Sequence, residues 1–306
     1  LIHSHYWLSG HVGNWARHQW SVPHVVTFHT LGAAKNDISG VEQEPELRVT
    51  TEKALANNAQ RILAGTKKEK EQLISYYGAA SDSIGVVPCG VNLDLFHPQD
   101  KLEARRELDV DQNASLVLYV GRFAPSKGSD RLLAAIAHLR NLPRLRLLIV
   151  GGDGHDAPEV QNLHKLSREL GIQDNVTIVG RIEQEALPRF YNAADILVVP
   201  SRYESFGLVA LESLACGTPV VATPVGAVGQ IIQEGETGHV VQNGSPRSLA
   251  DGIKALISGR NRTSAHLIRE SILDFAWPNV ASAMIKEYTT VVRDHPIASY
   301  AQELGS

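Results

Sequence analysis

Glu204 and Glu212 bracket the stretch Glu204-Ser-Phe-Gly-Leu-Val-Ala-Leu-Glu212, the first chemical signal in this sequence. The stretch follows an apolar run, Asp195-Ile-Leu-Val-Val-Pro200, that reads as a buried strand closed by a proline. It leads into an apolar helix that stops at Gly217, a good terminator. A helix start with Ser205, Phe206, Gly207 and Leu208 at its turn aims unpaired backbone N–H groups out of the sheet edge. Such a tip favours an anion, because it carries roughly half a positive charge. Neither carboxylate suits phosphate, so both are expected to address hydroxyl groups beside it. A phosphate cradle flanked by two hydroxyl acceptors describes a sugar nucleotide. Taken singly, Glu204 is explained as a loop carboxylate and Glu212 as a solvated helix position. Within Leu208-Val-Ala-Leu-Glu-Ser-Leu-Ala215, however, an unpaired acid would be costly, which favours function at 212.

A second signal lies where the strand Leu116-Val-Leu-Tyr-Val120 ends in Gly121-Arg-Phe-Ala-Pro-Ser-Lys-Gly128. Arg122 and Lys127 flank a turn built from Pro125 and Gly128. Two cations at the carboxyl end of a strand suit a diphosphate, Arg bidentately and Lys as a point charge. They also fit two solvated surface cations; the Glu204 turn, opening on the same sheet edge, favours phosphate. Gly151-Gly-Asp-Gly154 imitates a dinucleotide fingerprint but lacks its last glycine, and reads as a tight turn. Asp109-Val-Asp111 imitates a metal-binding acid pair and also reads as a turn. His3 and His5 share one strand face, but with no third ligand evident they read as core or site histidines, not zinc ligands. There is no Gly-x-Ser-x-Gly elbow for serine hydrolysis.

The elements that must position these groups alternate along the chain. Strands are expected at Val25–Phe28, Arg61–Ala64 and Ile84–Val87, with a helix from Arg48 to Ala59 and another opened by the capping box Thr66-Lys-Lys-Glu69. This looks like the second half of a parallel sheet, and the chain, opening in mid-strand at Leu1, is read as a fragment lacking its natural start. Phe96-His-Pro98 is expected to mark a linker. Beyond it, strands at 116–120, 147–150, 176–179, 196–199, 219–222 and 238–241 predict a complete doubly wound parallel sheet. The expected division is 1–97, 98–275, and a tail of 276–306 read as a kinked helix packing back toward the amino-terminal domain.

Bulk properties are those of a soluble globular protein: 306 residues, 20% charged, 43% hydrophobic. A formal charge of -4 gives no electrostatic case for nucleic acid. No apolar run approaches the ~20 residues that cross a bilayer. The two cysteines, Cys89 and Cys216, read as buried thiols in a reducing cytoplasm. Peripheral membrane contact and a homodimer are left open.

Together, Glu204 to Glu212 with Ser205-Phe-Gly207, Gly121-Arg122 with Lys127-Gly128, and Pro88-Cys-Gly-Val-Asn-Leu-Asp-Leu-Phe-His-Pro98 resemble the retaining glycosyltransferases of family 4 over nearly the whole chain. His3-Ser-His-Tyr-Trp-Leu-Ser-Gly10 and His29-Thr-Leu-Gly-Ala-Ala-Lys-Asn36 are similar to the branch of inositol-phosphate N-acetylglucosaminyltransferases of the mycothiol pathway and sucrose-phosphate synthases. The resemblance implies an α/β fold of the GT-B type, two Rossmann-like domains with parallel sheets, the amino-terminal one incomplete in this chain. It implies that Arg122 and Lys127 bind the donor diphosphate, Glu212 the ribose hydroxyls and Glu204 the transferred sugar. Backbone N–H groups of Ser205 to Leu208 serve phosphate and sugar, Gly121 lies at the donor, and Arg181 lies where the base pocket forms. His29 lies beside the reacting carbon, and Tyr6, Thr30 and Arg48 match positions that hold an acceptor's phosphate. A glycine-rich loop and a phosphate-binding lysine of the family's amino-terminal region do not lie in this chain.

The expected activity is transfer of a hexose from a nucleotide sugar, uridine-linked, to a small hydroxyl acceptor with retention, without a metal or other cofactor. In such a reaction the leaving phosphate oxygen takes the acceptor's proton on the same face, while Glu204 stands as a formal alternative nucleophile. Rival expectations are a nucleotide-sugar epimerase, a chain that binds nucleotide without catalysis, and, resting only on the Gly151 turn, a nicotinamide oxidoreductase.

Overall fold

A computed structural model describes residues 1–38, 43–152, 157–259 and 263–295. Internal contacts divide the chain into an amino-terminal unit, Leu1–Cys89 with the chain from Trp277 on, and a carboxyl-terminal unit, Gly90–Ala276.

The amino-terminal unit is a parallel sheet of β1 (Ile2–His5), β2 (His24–Thr27), β3 (Arg61–Ala64) and β4 (Ile84–Val86), in that order. Helices Tyr6–Trp20, Glu46–Asn58 and Lys67–Tyr77 make the crossovers that parallel strands require. The capping box forms: Thr66 Oγ1 accepts from the Glu69 amide at 2.9 Å, and Glu69 reaches back to the Gly65 amide at 2.7 Å. Gly78, at φ 70°, closes that helix in the left-handed conformation glycine tolerates. The last helix, Trp277–Asp294, lays Val280 and Val291 against Val25, Leu63 and Val87. It is one helix, not the kinked one expected, because Pro278 falls in its first turn, where no N–H is lost.

The carboxyl-terminal unit holds β5 (Ser115–Val120), β6 (Leu145–Val150), β7 (Val176–Gly180), β8 (Ile196–Val199), β9 (Val220–Ala222) and β10 (Gly238–Val240). The sheet is parallel, in the order β10-β9-β8-β5-β6-β7. The inner strands β5, β6, β8 and β9 run mostly through buried apolar residues, as a sheet covered on both faces demands, while the edge strands β7 and β10 are only partly buried. The chain winds outward from β5 to β7 and then returns to β8 on the other side of β5. β5 and β8 therefore flank the reversal of strand order, the place where open α/β sheets bind ligands.

The expected linker at Phe96-His-Pro98 belongs to this unit. Phe96 is buried edge-on to Tyr191, and Asn92 caps the turn before it by accepting from the amides of Asp94 and Leu95. Asp111 likewise caps a turn through the Asn113 amide, consistent with a structural role for the acid pair. Gly151 and Gly152, the described half of the expected tight turn, both take positive φ. A Cβ on Gly151 would lie 1.9 Å from the Gly121 carbonyl oxygen, so the turn serves close packing. Asp153 and Gly154 lie outside the described residues. Among the described residues no helix is long and apolar enough to cross a membrane, and no group of three or more His, Cys, Asp or Glu could hold a metal ion.

Candidate active site

Gly121 leaves β5 with its amide on the Val150 carbonyl, and the Tyr119 hydroxyl donates to the Arg122 carbonyl at 2.7 Å. The chain then makes a single 3-10 turn, Pro125–Lys127, and enters the helix Ser129–His138 through Gly128 at φ 69°. A Cβ on Gly128 would stand 2.2 Å from the Pro200 carbonyl oxygen. Glycine is thus required twice over, by its left-handed backbone and by the loop after β8 lying against it.

That second loop is stapled to the first. The Arg202 amide donates to the Ser126 carbonyl at 2.7 Å. The Arg202 guanidinium donates to the Pro125 carbonyl and forms a two-pronged pair with Asp130, at 2.9 and 2.6 Å. Lys127 Nζ donates to Glu204 Oε1 at 2.7 Å, and the same oxygen accepts from Ser201 Oγ at 2.9 Å. The two turns singled out in the sequence therefore meet in one place.

Phe206 is buried edge-on to Phe275, and its carbonyl accepts from the Ala227 amide at 2.8 Å, so the loop after β9 backs the turn. Gly207, at φ 106°, then opens the helix Leu208–Ala215. The amides of Ser205, Phe206, Gly207 and Leu208 find no acceptor among the described residues; the helix start leaves Gly207 and Leu208 so, while Ser205 and Phe206 lie in the loop before it. They form a cluster of donors at the carboxyl edge of the sheet. Arg122 and Arg181 are exposed, at the ends of β5 and β7.

Glu212 is not the unpaired acid the helix pattern suggested. The fully buried Tyr191 donates its hydroxyl to Glu212 Oε2 at 2.6 Å. Burial raises the Glu212 carboxyl above its ordinary range, against the opposing hydrogen bonds from Tyr191 and Gln184. Tyr191 was invisible to sequence reasoning because its partner lies two elements away. Arg202, Asp130 and Ser201 were missed as well; their types are common at surfaces, and only the folded loops pair them.

In the amino-terminal unit Tyr6, Thr30 and Arg48 come together. Arg48 Nη2 donates to Thr30 Oγ1 at 2.6 Å, and the guanidinium lies over the Tyr6 ring, 5.0 Å from its centroid. Arg48 is only 2% exposed and is committed to two carboxylates, Glu52 at 2.7 Å and Glu44 at 2.8 Å. Every nitrogen of its guanidinium thus has a protein partner. Glu52 in turn accepts from the Gly32 amide and from the Tyr77 hydroxyl, which makes it the hub of this corner. Tyr6 and His29 adopt left-handed backbones, φ 72° and 63°, at the ends of adjacent strands. Such strain in non-glycine residues gathers at functional sites. Burial, with His5 beside it, holds the His29 imidazole below its ordinary pKa.

Comparison with known proteins sets these features in a family. The family model described as Glycosyl transferases group 1 matches residues 100–272, and that described as Glycosyltransferase Family 4 matches residues 1–95. The chain is 41% identical to the D-inositol 3-phosphate glycosyltransferase of Geodermatophilus obscurus over 98% of its own length and 68% of that protein. It is 40% identical to the enzyme of the same name from Mycobacteroides abscessus, over 96% and 67%. Among solved structures, sucrose-phosphate synthase from Thermosynechococcus elongatus superposes with a TM-score of 0.87 at 36% identity, covering 96% of this chain and 74% of that one. Anabaena HepE, solved with UDP and glucose, shares the fold with a TM-score of 0.82 at 22% identity, covering 94% and 78%. The sheets, the loops at the reversal of strand order and these matches agree: the chain belongs to the group 1 glycosyl transferases, its amino-terminal part to glycosyltransferase family 4, and its fold is of the GT-B type.

Proposed function

We propose that this glycosyltransferase moves a hexose from a uridine-linked nucleotide sugar to a hydroxyl of a phosphorylated polyol, with retention at the anomeric carbon. The observation that carries the reading is the meeting of the Lys127 turn with the Glu204 turn beneath a helix tip of unpaired amides. The donor's diphosphate binds there, at Arg122, Lys127 and the amides of Ser205 to Leu208 beside Gly121. Glu204 takes hydroxyls of the transferred sugar, Glu212 the ribose, and the backbone near Arg181 the base. UDP in HepE, a protein of the same fold, supports the uridine nucleotide. The name shared by the inositol-phosphate relatives supports the acceptor.

Chemically, departure of the nucleotide leaves negative charge on the diphosphate. Lys127, Arg122 and the helix tip stabilise it in the manner of an oxyanion hole, each well-placed group contributing roughly 2–4 kcal/mol in the transition state. The departing oxygen collects the proton of the attacking hydroxyl, so no side chain need form a covalent intermediate. In this reading His29 is the group beside the reacting carbon, and Thr30, Tyr6 and Arg48 receive the acceptor's phosphate. Because Arg48 is already balanced by Glu44 and Glu52, Thr30 carries more of that contact than its neutral side chain suggests.

The test is an assay of UDP-hexoses with inositol 3-phosphate, with a phosphorylated sugar and with no acceptor, the product's anomeric configuration read by NMR. Acceptor-dependent product of unchanged configuration supports the reading. Donor conversion without acceptor would make the chain an epimerase, and inverted product would refute the same-face mechanism.

A further inference from the structure

His29 does not stand alone at the end of β2. His5, which ends β1, places Nδ1 2.9 Å from His29 Nε2, with the two rings nearly parallel and their centroids 5.1 Å apart. Behind His5 lies His3, its ring centroid 4.2 Å away. His3 is itself fixed at both nitrogens, Nδ1 to the Tyr288 hydroxyl at 2.6 Å and Nε2 to Thr27 Oγ1 at 2.9 Å. Three imidazoles and two hydroxyls thus form a line from the last helix, across β1, to the left-handed residue His29.

We infer that His5 is a positioning residue for glycosyl transfer: it holds the His29 ring in one orientation and one tautomer, and leaves His29 Nδ1 as the nitrogen available to substrate. The inference rests on the reading of His29 as a group that touches the reacting sugar. A residue at φ 63° is in a sparsely populated conformation that persists only where its surroundings fix it. One proton occupies the His5–His29 hydrogen bond, so whichever nitrogen carries it, the state of His29 Nδ1 follows from the state of His5. His3 acts as the backstop. Burial and the neighbouring imidazoles lower its pKa to about 4, so it stays neutral and adds no charge to the line. The titratable groups facing the pair are His3 on β1, Tyr288 on the last helix and, behind His3, His24 on β2.

The experiment compares His5→Ala and His5→Asn in the full chain, with UDP-hexose and inositol 3-phosphate. Asparagine returns a hydrogen-bonding nitrogen and oxygen near the place of Nδ1; alanine does not. His5→Ala should lower kcat by about 10- to 100-fold, the loss that a small misplacement of a reacting group brings, with little change in KM for the donor. His5→Asn should restore most of the rate and move the acid limb of the kcat/KM profile upward, because His29 loses a neighbour that depresses its pKa. A kcat for His5→Ala within a factor of a few of the parent, with the fold intact by circular dichroism, would overturn the inference. So would His5→Asn performing no better than His5→Ala. Should the parent chain transfer nothing, the enzyme reading fails on its own, and ring-nitrogen NMR still decides this proposal. The tautomer shifts of His29 must change in His5→Ala, and their constancy would refute the coupling.

Discussion

Lys127 Nζ and Glu204 Oε1 stand 2.7 Å apart, one from the loop that leaves β5 and the other from the loop that leaves β8. These strands are neighbours in the sheet but far apart in sequence. The pair marks the reversal of strand order and is partly exposed, so the lysine is both neutralised and accessible. Under the proposed reading, an arriving diphosphate should take over the lysine and free the carboxylate for sugar hydroxyls.

The staple between the loops should matter for binding more than for stability. Asp130 is half exposed, and pairs of that kind contribute about 0–1 kcal/mol. Arg202→Ala should leave the melting temperature nearly unchanged while weakening UDP binding several-fold. Thermal melts beside calorimetry measure both, and a large drop in stability with unchanged UDP affinity would contradict the account.

Arg48 should behave in the opposite way. Removing it leaves Glu52, fully buried, and Glu44 without their cation. Breaking a buried pair from one side costs about 3–5 kcal/mol. Arg48→Ala is expected to lose stability on that scale in denaturant titrations. Thr30→Val should instead keep the fold and raise KM for a phosphorylated acceptor.

Glu69 carries a pH prediction. Its Oε1 has no partner among the described residues, and burial raises its pKa from 4.5 to about 7, against the opposing bond from Gly65. A carboxyl with a raised folded pKa stabilises fully below about pH 4.5 and loses that contribution as pH rises through 7. Glu69→Gln cannot ionise and escapes the loss. Relative to the parent it should gain stability on the order of 2 kcal/mol between pH 5 and pH 8. Equal pH slopes for the two proteins in urea unfolding would show that Glu69 does not titrate in the folded state.

Much of this architecture was legible in the sequence. The strands from β5 to β10 are short and mostly apolar, broken only by residues such as Arg146, Thr177 and His239, so their positions followed within a residue or two. Lys127 and Glu204 were legible only as members of two turns expected on one sheet edge, since each alone fits a solvated loop position; their direct pairing came from the structure. Phe96 was misread within a polar stretch, although an aromatic side chain there was itself a sign of burial. Pro278 was read as a kink when its place just after Trp277 marked a helix start. The commitments of Arg48 were half visible, since Glu44 and Glu52 lie four residues to either side of it. The contacts of Tyr191 with Glu212 and of Arg202 with Asp130 were not, because nothing local ties residues that only the closed sheet brings together.

The most direct measurement is titration of the chain and of Lys127→Ala with UDP, beside turnover of a UDP-hexose. The parent should bind UDP, and Lys127→Ala should bind it more weakly. Turnover of the variant should fall by about 10²–10³-fold, the loss seen when one donor is removed from a site of developing negative charge. Unchanged UDP affinity together with turnover within a few-fold of the parent would show that the diphosphate does not sit between these two loops.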